Sequence, residues 1–310
     1  MDSVPPIFVE SVCLLLDRQS LEDICKVACL WGEVSSATIR KIHFLRVFVE
    51  EEEGKLYAAA LPCWNYDTEE AAHLESVNLK FITNFIIKPN IVSDQVSSSW
   101  KEITLNDLQR LVRLITPTTE RRHPLRYDNA SCNGLQLYKH TWITEKLISL
   151  QLPFDSVNLW IDGEELKAAV EEFFENAGPL YNVTIRYTPS ALKQSTVDTL
   201  IDKFVPADDG HFQLDITTLL TRKQLERLVL KCEMSDKRVM MYVWLEGATS
   251  STNVTDFFEF DKYYSKKGVE DGKLIARREG AKLELRVFHL SSFGGEFMWR
   301  WDVSRTESFS

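Results

Sequence analysis

The residues most able to do chemistry in this chain of 310 are six cysteines, six histidines and a surplus of carboxylates. Cys25 and Cys29 stand four apart on a predicted helix, but no second Cys or His pair at zinc-ligand spacing lies near them. Buried structural thiols are therefore expected at Cys13, Cys25, Cys29, Cys63, Cys132 and Cys232, because free cysteine behaves as a small core hydrophobe. His43, His73, His123, His140, His211 and His289 are scattered, and none is paired at i, i+4. Asp208-Asp209-Gly210-His211 reads as a turn, since no further carboxylates follow at calcium-loop spacing. No Gly-x-Ser-x-Gly elbow, phosphate loop, His-Glu-x-x-His pair or set of kinase landmarks occurs. Catalytic triads are assembled from distant residues, so an enzyme is not excluded, but nothing supports one. The reading is a non-enzyme with no catalytic residues, no metal and no cofactor.

Charge narrows the partners. A net charge of −10 argues against nucleic acid or an anionic membrane surface, both of which need concentrated Lys and Arg. Arg121-Arg122-His123 and Lys266-Lys267 are small clusters and read as solvated loops. Met1–Glu10 has no Lys or Arg to open a secretory signal, and runs such as Val12–Leu16 are too short to span a bilayer. A soluble protein of the cytoplasm, with the nucleus also open to it, is expected. In that compartment the thiols stay reduced, and the sequons at Asn129, Asn182 and Asn253 carry no information.

What positions these residues begins with three short helices. Pro5-Pro6 can only open a helix, and Phe8-Val9, Val12 and Leu15-Leu16 then recur at helical spacing. Asp17-Arg18-Gln19 interrupts the stripe. Ser20, with Asp23 three residues on, predicts a capped start for a second helix bearing Leu21, Ile24, Val27-Ala28 and Trp31, which Gly32 ends or bends. A third is predicted over Val34–Ile42. So small a unit barely buries a core, and its excess apolar surface should dock on the rest of the chain or on a partner.

The stretch from Val4 to Val34, about a tenth of the chain, resembles the F-box, the adaptor-binding motif of substrate receptors in SCF-type cullin-RING ubiquitin ligases. Pro5 stands where the family's opening Leu-Pro has its proline, with Val4 for the leucine. Val12 and Leu16 occupy the Ile and Leu of the first helix, and Asp17 follows them. Leu21, Ile24, Val27 and Trp31 match the Leu, Leu, Val and Trp of the second. Pro6-Ile7 and Cys29-Leu30 depart from the polar and basic residues usual at those places. The opening Met-Asp-Ser-Val-Pro is similar to a nematode-expanded set of F-box and F-box-like proteins.

The resemblance implies that Pro5, Phe8, Val12, Leu16, Leu21, Ile24, Val27 and Trp31 contact a Skp-family adaptor, and through it a cullin scaffold. The rest of the chain would hold an unnamed target through unassigned residues, with the chemistry supplied in trans. The alternative is a scaffold or host-defence interaction protein whose N-terminal helices are only structural.

Behind the motif, at residues 1–43, one α/β body is expected over 44–310, with a weak sub-boundary near the Ser-rich 93–100. Phe44–Ala60 reads as a hairpin around the solvated Glu50–Gly54 turn, Val77–Ile87 as a strand and Leu105–Leu114 as a helix capped by Thr104 or Asn106. Strand-like runs then begin at Val157, Val183, Phe212 and Val239, separated by helices over Glu164–Asn176, Ala191–Phe204 and Thr221–Cys232. A β-α unit recurring every twenty-odd residues predicts a degenerate leucine-rich-repeat-like layer, with a single α/β sheet as the competitor, since the repeat's Asn ladder is missing. Phe257–Phe260, Leu274–Arg278, Lys282–Leu290 and Phe297–Trp301 read as strands of an antiparallel end, with Trp299 and Trp301 in a core. Arg305–Ser310 should fray. The fold class is therefore α+β or α/β.

Overall fold

The computed structural model describes residues 4–63, 70–89, 98–115, 132–270, 272–290 and 295–303. The chain divides into two compact units, Met1–Ser156 and Val157–Ser310, each mixed α/β. The boundary expected after residue 43 falls inside the first unit, and most of 93–100 lies outside the described residues, as do Arg121-Arg122-His123 and Arg305–Ser310.

The first unit opens with α1 (Pro6–Cys13), α2 (Arg18–Cys25) and α3 (Leu30–Ile39). Pro5 is the N-cap of α1, so the missing N–H of Pro6 falls where no helical bond is needed. The cap of α2 is Asp17 rather than Ser20: its carboxylate accepts from the Ser20 amide at 2.9 Å and from the Ser20 hydroxyl at 2.7 Å. The expected second helix is in fact broken, because the chain turns at Lys26–Cys29 and α3 starts at Leu30, two residues before Gly32. Cys25 therefore ends α2 while Cys29 caps α3 in extended geometry, and both thiols are half-exposed instead of buried. The other four thiols are buried.

After the helices come β1 (His43–Glu50) and β2 (Lys55–Pro62), an antiparallel hairpin from Glu50↔Lys55 to His43↔Pro62. Its turn is not wholly solvated. Glu51 folds inward and accepts from the Tyr138 amide at 3.3 Å, and the ring of Trp142 covers Gly54, whose φ is 69°. The strand expected from Val77 begins only at β3 (Ile82–Pro89). Asn78 accepts from the Lys80 amide at 3.1 Å, holding Leu79–Phe81 in one tight helical turn instead. Then follow β4 (Lys101–Ile103), α4 (Leu105–Leu114) with a reciprocal Thr104/Asp107 cap, β5 (Gly134–Leu137) and α5 (Trp142–Ser149). The strand order is β5-β3-β1-β2-β4. β1 and β5 run parallel to β3, and β4 runs antiparallel to β2.

The second unit is more regular. In chain order it contains β6 (Ser156–Trp160), α6 (Glu164–Asn176), β7 (Asn182–Arg186), α7 (Gln194–Lys203), β8 (Gly210–Gln213), β9 (Leu219–Leu220), α8 (Arg222–Ser235) and β10 (Val239–Leu245). β6, β7, β8 and β10 lie side by side in chain order, with β7, β8 and β10 parallel. The helices repeat one device. Lys203 at the end of α7 donates to the carbonyl oxygen of Glu175 near the end of α6 at 2.8 Å. Lys231 of α8 does the same to the Ile201 and Asp202 carbonyls ending α7, at 2.9 and 2.6 Å. Each lysine thus satisfies orphan C-terminal carbonyls of the preceding helix, where the helix dipole favours a cation.

The unit closes with α9 (Phe260–Tyr263), β11 (Lys266–Glu270), β12 (Lys273–Arg277), β13 (Leu283–Leu290) and β14 (Glu296–Val303), in the strand order β10-β14-β13-β12-β11, all antiparallel. Phe257–Phe260 is not a strand. Asn253–Asp256 turns the chain there, and Phe258 and Phe260 both pack on Trp299, at ring distances of 5.8 Å. Trp299 and Trp301 are buried as expected. Beneath them Glu233 accepts from the Tyr264 hydroxyl at 2.7 Å and the Trp301 indole at 2.8 Å, so this buried carboxylate is bonded rather than bare.

Candidate docking surface

The N-terminal helices spend their apolar residues in two directions. Inward, Val9, Cys13 and Leu21 close a core with Ile42 and Cys63, and Leu14, Leu16, Trp31, Val34 and Ile39 pack at its margin. Outward, Ile7 (71% exposed), Phe8 (53%), Leu15 (57%) and Val27 (50%) remain in solvent. The division follows from helix geometry: Val9 and Cys13 are four apart on the inner side of α1, Ile7 and Ser11 mark the outer one, and Leu15 stands in the turn that follows. Phe8 meets the half-buried Trp31 edge-on at 6.3 Å, which joins the outer sides of α1 and α3.

The eight residues of the motif resemblance are thus not equivalent. Pro5, Phe8 and Val27 are exposed, and Val12, Leu16, Ile24 and Trp31 are half-buried. Leu21 is fully buried, so its side chain has no area left for a partner and its place is in the core. Ile7 and Leu15 are the exposed residues that the family pattern did not single out. For Ile7 the available signal was its place two residues before Val9, on the opposite side of the helix.

Polar contacts bind these helices to the strands of the first unit. Arg18 is buried, and its guanidinium donates to the Thr83 hydroxyl at 3.0 Å and the Asn84 side-chain oxygen at 3.1 Å on β3. Asn84 in turn donates to the Cys132 carbonyl at 3.0 Å. Glu10 bridges Lys41 (3.2 Å) and Lys80 (2.6 Å), and the Lys80 hydrogen bond is the main reason its carboxyl lies below the usual range. Burial pushes the thiols of Cys13 and Cys63 up, so neither is a ready nucleophile.

No protein-family model, curated protein or solved structure matches the chain.

Elsewhere the candidate chemistry does not converge. Among the described residues no group of three His, Cys, Asp or Glu is placed to hold a metal, and no helix is long and apolar enough to cross a membrane. His140 bonds Glu145 at 2.7 Å, beside α5. Of Asp208-Asp209-Gly210-His211 only the first two residues form a turn, with Asp209 at φ 64° and Asp208 accepting from the Arg238 amide at 3.0 Å, and Gly210-His211 open β8.

Proposed function

We propose that the chain is a non-catalytic receptor subunit of an SCF-type ubiquitin ligase in the cytoplasm or nucleus. It docks a Skp-family adaptor through the outer side of α1–α3 and offers its second unit, a leucine-rich-repeat-like β-α layer, to a target. One observation carries the reading: four large apolar residues of a small helical unit, Ile7, Phe8, Leu15 and Val27, are left in water while the unit's core is already complete without them. Covering the half or more of each that is still in water would release about 1–2 kcal/mol before association costs, enough for a few anchors to dominate an interface. The chain-order strands and the lysine device of α7 and α8 support the repeat-like part.

The test is co-purification of the full chain with a co-expressed Skp-family adaptor. The parent should retain the adaptor, and Phe8→Asp and Val27→Asp should release it with an unchanged unfolding midpoint, since exposed substitutions cost within about 0.5 kcal/mol.

A second reading has its own support. Arg18 and Leu21 are so deeply engaged with the first unit that α1–α3 serve it structurally whatever else they do. If a folded parent fails to hold the adaptor, the helices are structural only and the receptor assignment falls.

A further inference from the structure

Tyr187 follows β7 with a left-handed backbone, φ 57°, which a bulky residue adopts only when its surroundings hold it there. What holds it is Asp215, after β8. The carboxylate accepts from the Tyr187 amide at 3.0 Å, from the Thr188 amide at 3.3 Å and from the Thr188 hydroxyl at 3.0 Å, and Thr217 closes the ring with a further hydroxyl at 3.1 Å. The result is a ring displayed rather than packed. Tyr187 is 62% exposed and leans on the half-exposed Trp160, the last residue of β6, at 4.6 Å. The next loops are tied likewise, because Ser190 donates to Glu164 at 2.7 Å. A preorganised aromatic pair therefore stands at the C-terminal ends of adjacent strands, where open α/β sheets place their ligand sites.

The charge around the pair selects its occupant. Asp162, Glu164 and Glu165 are all exposed on the loop and helix start that follow Trp160. Lys167 already pairs with Glu164 at 3.3 Å and Arg186 has its guanidinium on the Gln213 side-chain oxygen at 3.2 and 2.7 Å, so the rim's acidic character rests on Asp162 and Glu165. We infer that the rim at the ends of β6 and β7 is the target-binding site of the second unit, and that it takes a Lys- or Arg-bearing segment of another protein. The cation lies over the exposed Tyr187 ring, which Trp160 backs, and its neighbours meet the acidic loop. This rests on the reading of the chain as a receptor.

The experiment uses purified full-length protein and three pools of short fluorescent peptides, enriched in Lys and Arg, in Asp and Glu, or in uncharged residues. The Lys/Arg pool should bind best and weaken with salt. Tyr187→Asn should reduce that binding about tenfold, between the values for a ring over an exposed and over a desolvated cation. Asparagine tolerates the left-handed backbone, so the ring is removed without disturbing the fold, and the unfolding midpoint and adaptor co-purification should stay unchanged. Asp162→Asn with Glu165→Gln should remove most of the salt dependence. Equal binding of the pools, preference for the Asp/Glu pool, or undiminished affinity in Tyr187→Asn overturns the inference. Loss of adaptor co-purification in the parent, with the Lys/Arg preference intact, sinks the receptor reading and leaves the rim standing.

Discussion

Gly32 lies in the first turn of α3, a place where alanine would ordinarily be an improvement. Replacing a helical glycine by alanine gains about 1 kcal/mol from backbone entropy. Here the added Cβ would stand 1.9 Å from the carbonyl oxygen of Val27 and 3.0 Å from its carbon, where ordinary contact begins near 3.4 Å. Both obstacles are backbone, so no side chain can swing aside and the Lys26–Cys29 turn itself must open. Forcing atoms into a packed site costs about 1–3 kcal/mol, and an immovable neighbour places this case at or above the top of that range. Subtracting the propensity gain leaves Gly32→Ala destabilised by about 2 kcal/mol. The assay is urea unfolding of the full chain, comparing midpoints at a common slope. Opening the turn also shifts Trp31 away from Phe8, so adaptor co-purification should weaken in the same variant. An alanine variant as stable as the parent, or more stable, would refute the close approach and with it the account of why the second and third helices are separate.

Two further outcomes follow from buried carboxyl groups. Asp155 is buried, and desolvation pushes its carboxyl up to about 8 although it accepts the Asn133 amide at 2.9 Å; its second oxygen has no partner among the described residues. A folded-state value above the unfolded one means the native state holds a proton that the unfolded chain has already released. Stability should therefore fall as pH rises from about 4 to about 8, by at most about 1.4 kcal/mol per unit. Asp155→Asn should flatten that slope in denaturant titrations at pH 5 and 8, and a parent with no slope would count against the burial. In the second unit, Glu233→Leu leaves the Tyr264 hydroxyl and the Trp301 indole without their acceptor, so unfolding should come about 2–4 kcal/mol earlier, whereas an unchanged midpoint would mean that water replaces the carboxylate.

The sequence was most legible where one period ran unbroken. Glu164–Asn176 is a helix to the residue on its hydrophobic stripe alone, without a side-chain cap, and Leu105–Leu114 is one too, where stripe and Thr104 cap agree. It was least legible where a long-range contact overrode the local pattern. Glu51 belongs to a run of four glutamates that any local rule sends to solvent, but the Tyr138 amide, far along the chain, draws it inside. Phe257–Phe260 alternates like a strand, but the face of Trp299 takes Phe258 and Phe260 from a turn. β5 and α5 went unread because their signals are short, and the α5 cap uses Thr144 where a carboxylate would have announced it. Tyr187 carries no local mark at all, because only Asp215, a whole repeat away, imposes its left-handed backbone.

The N-terminal helices bring the same conflict to function. A motif match assigns one role to all eight of its apolar positions, but a unit of three short helices cannot hold itself together without consuming some of them. Leu21 is consumed entirely, and Leu16 and Trp31 in part, so a charge placed at any of the three would unfold the unit as readily as it would block a partner. Loss of binding there is ambiguous between docking and folding. Phe8 and Val27 escape the ambiguity because water already surrounds about half of each. A docking role predicts that truncating them costs affinity and no stability, and a structural role predicts that it costs neither. Among the large apolar positions of the motif, the two that the core leaves most exposed are therefore the ones able to decide between the two functions.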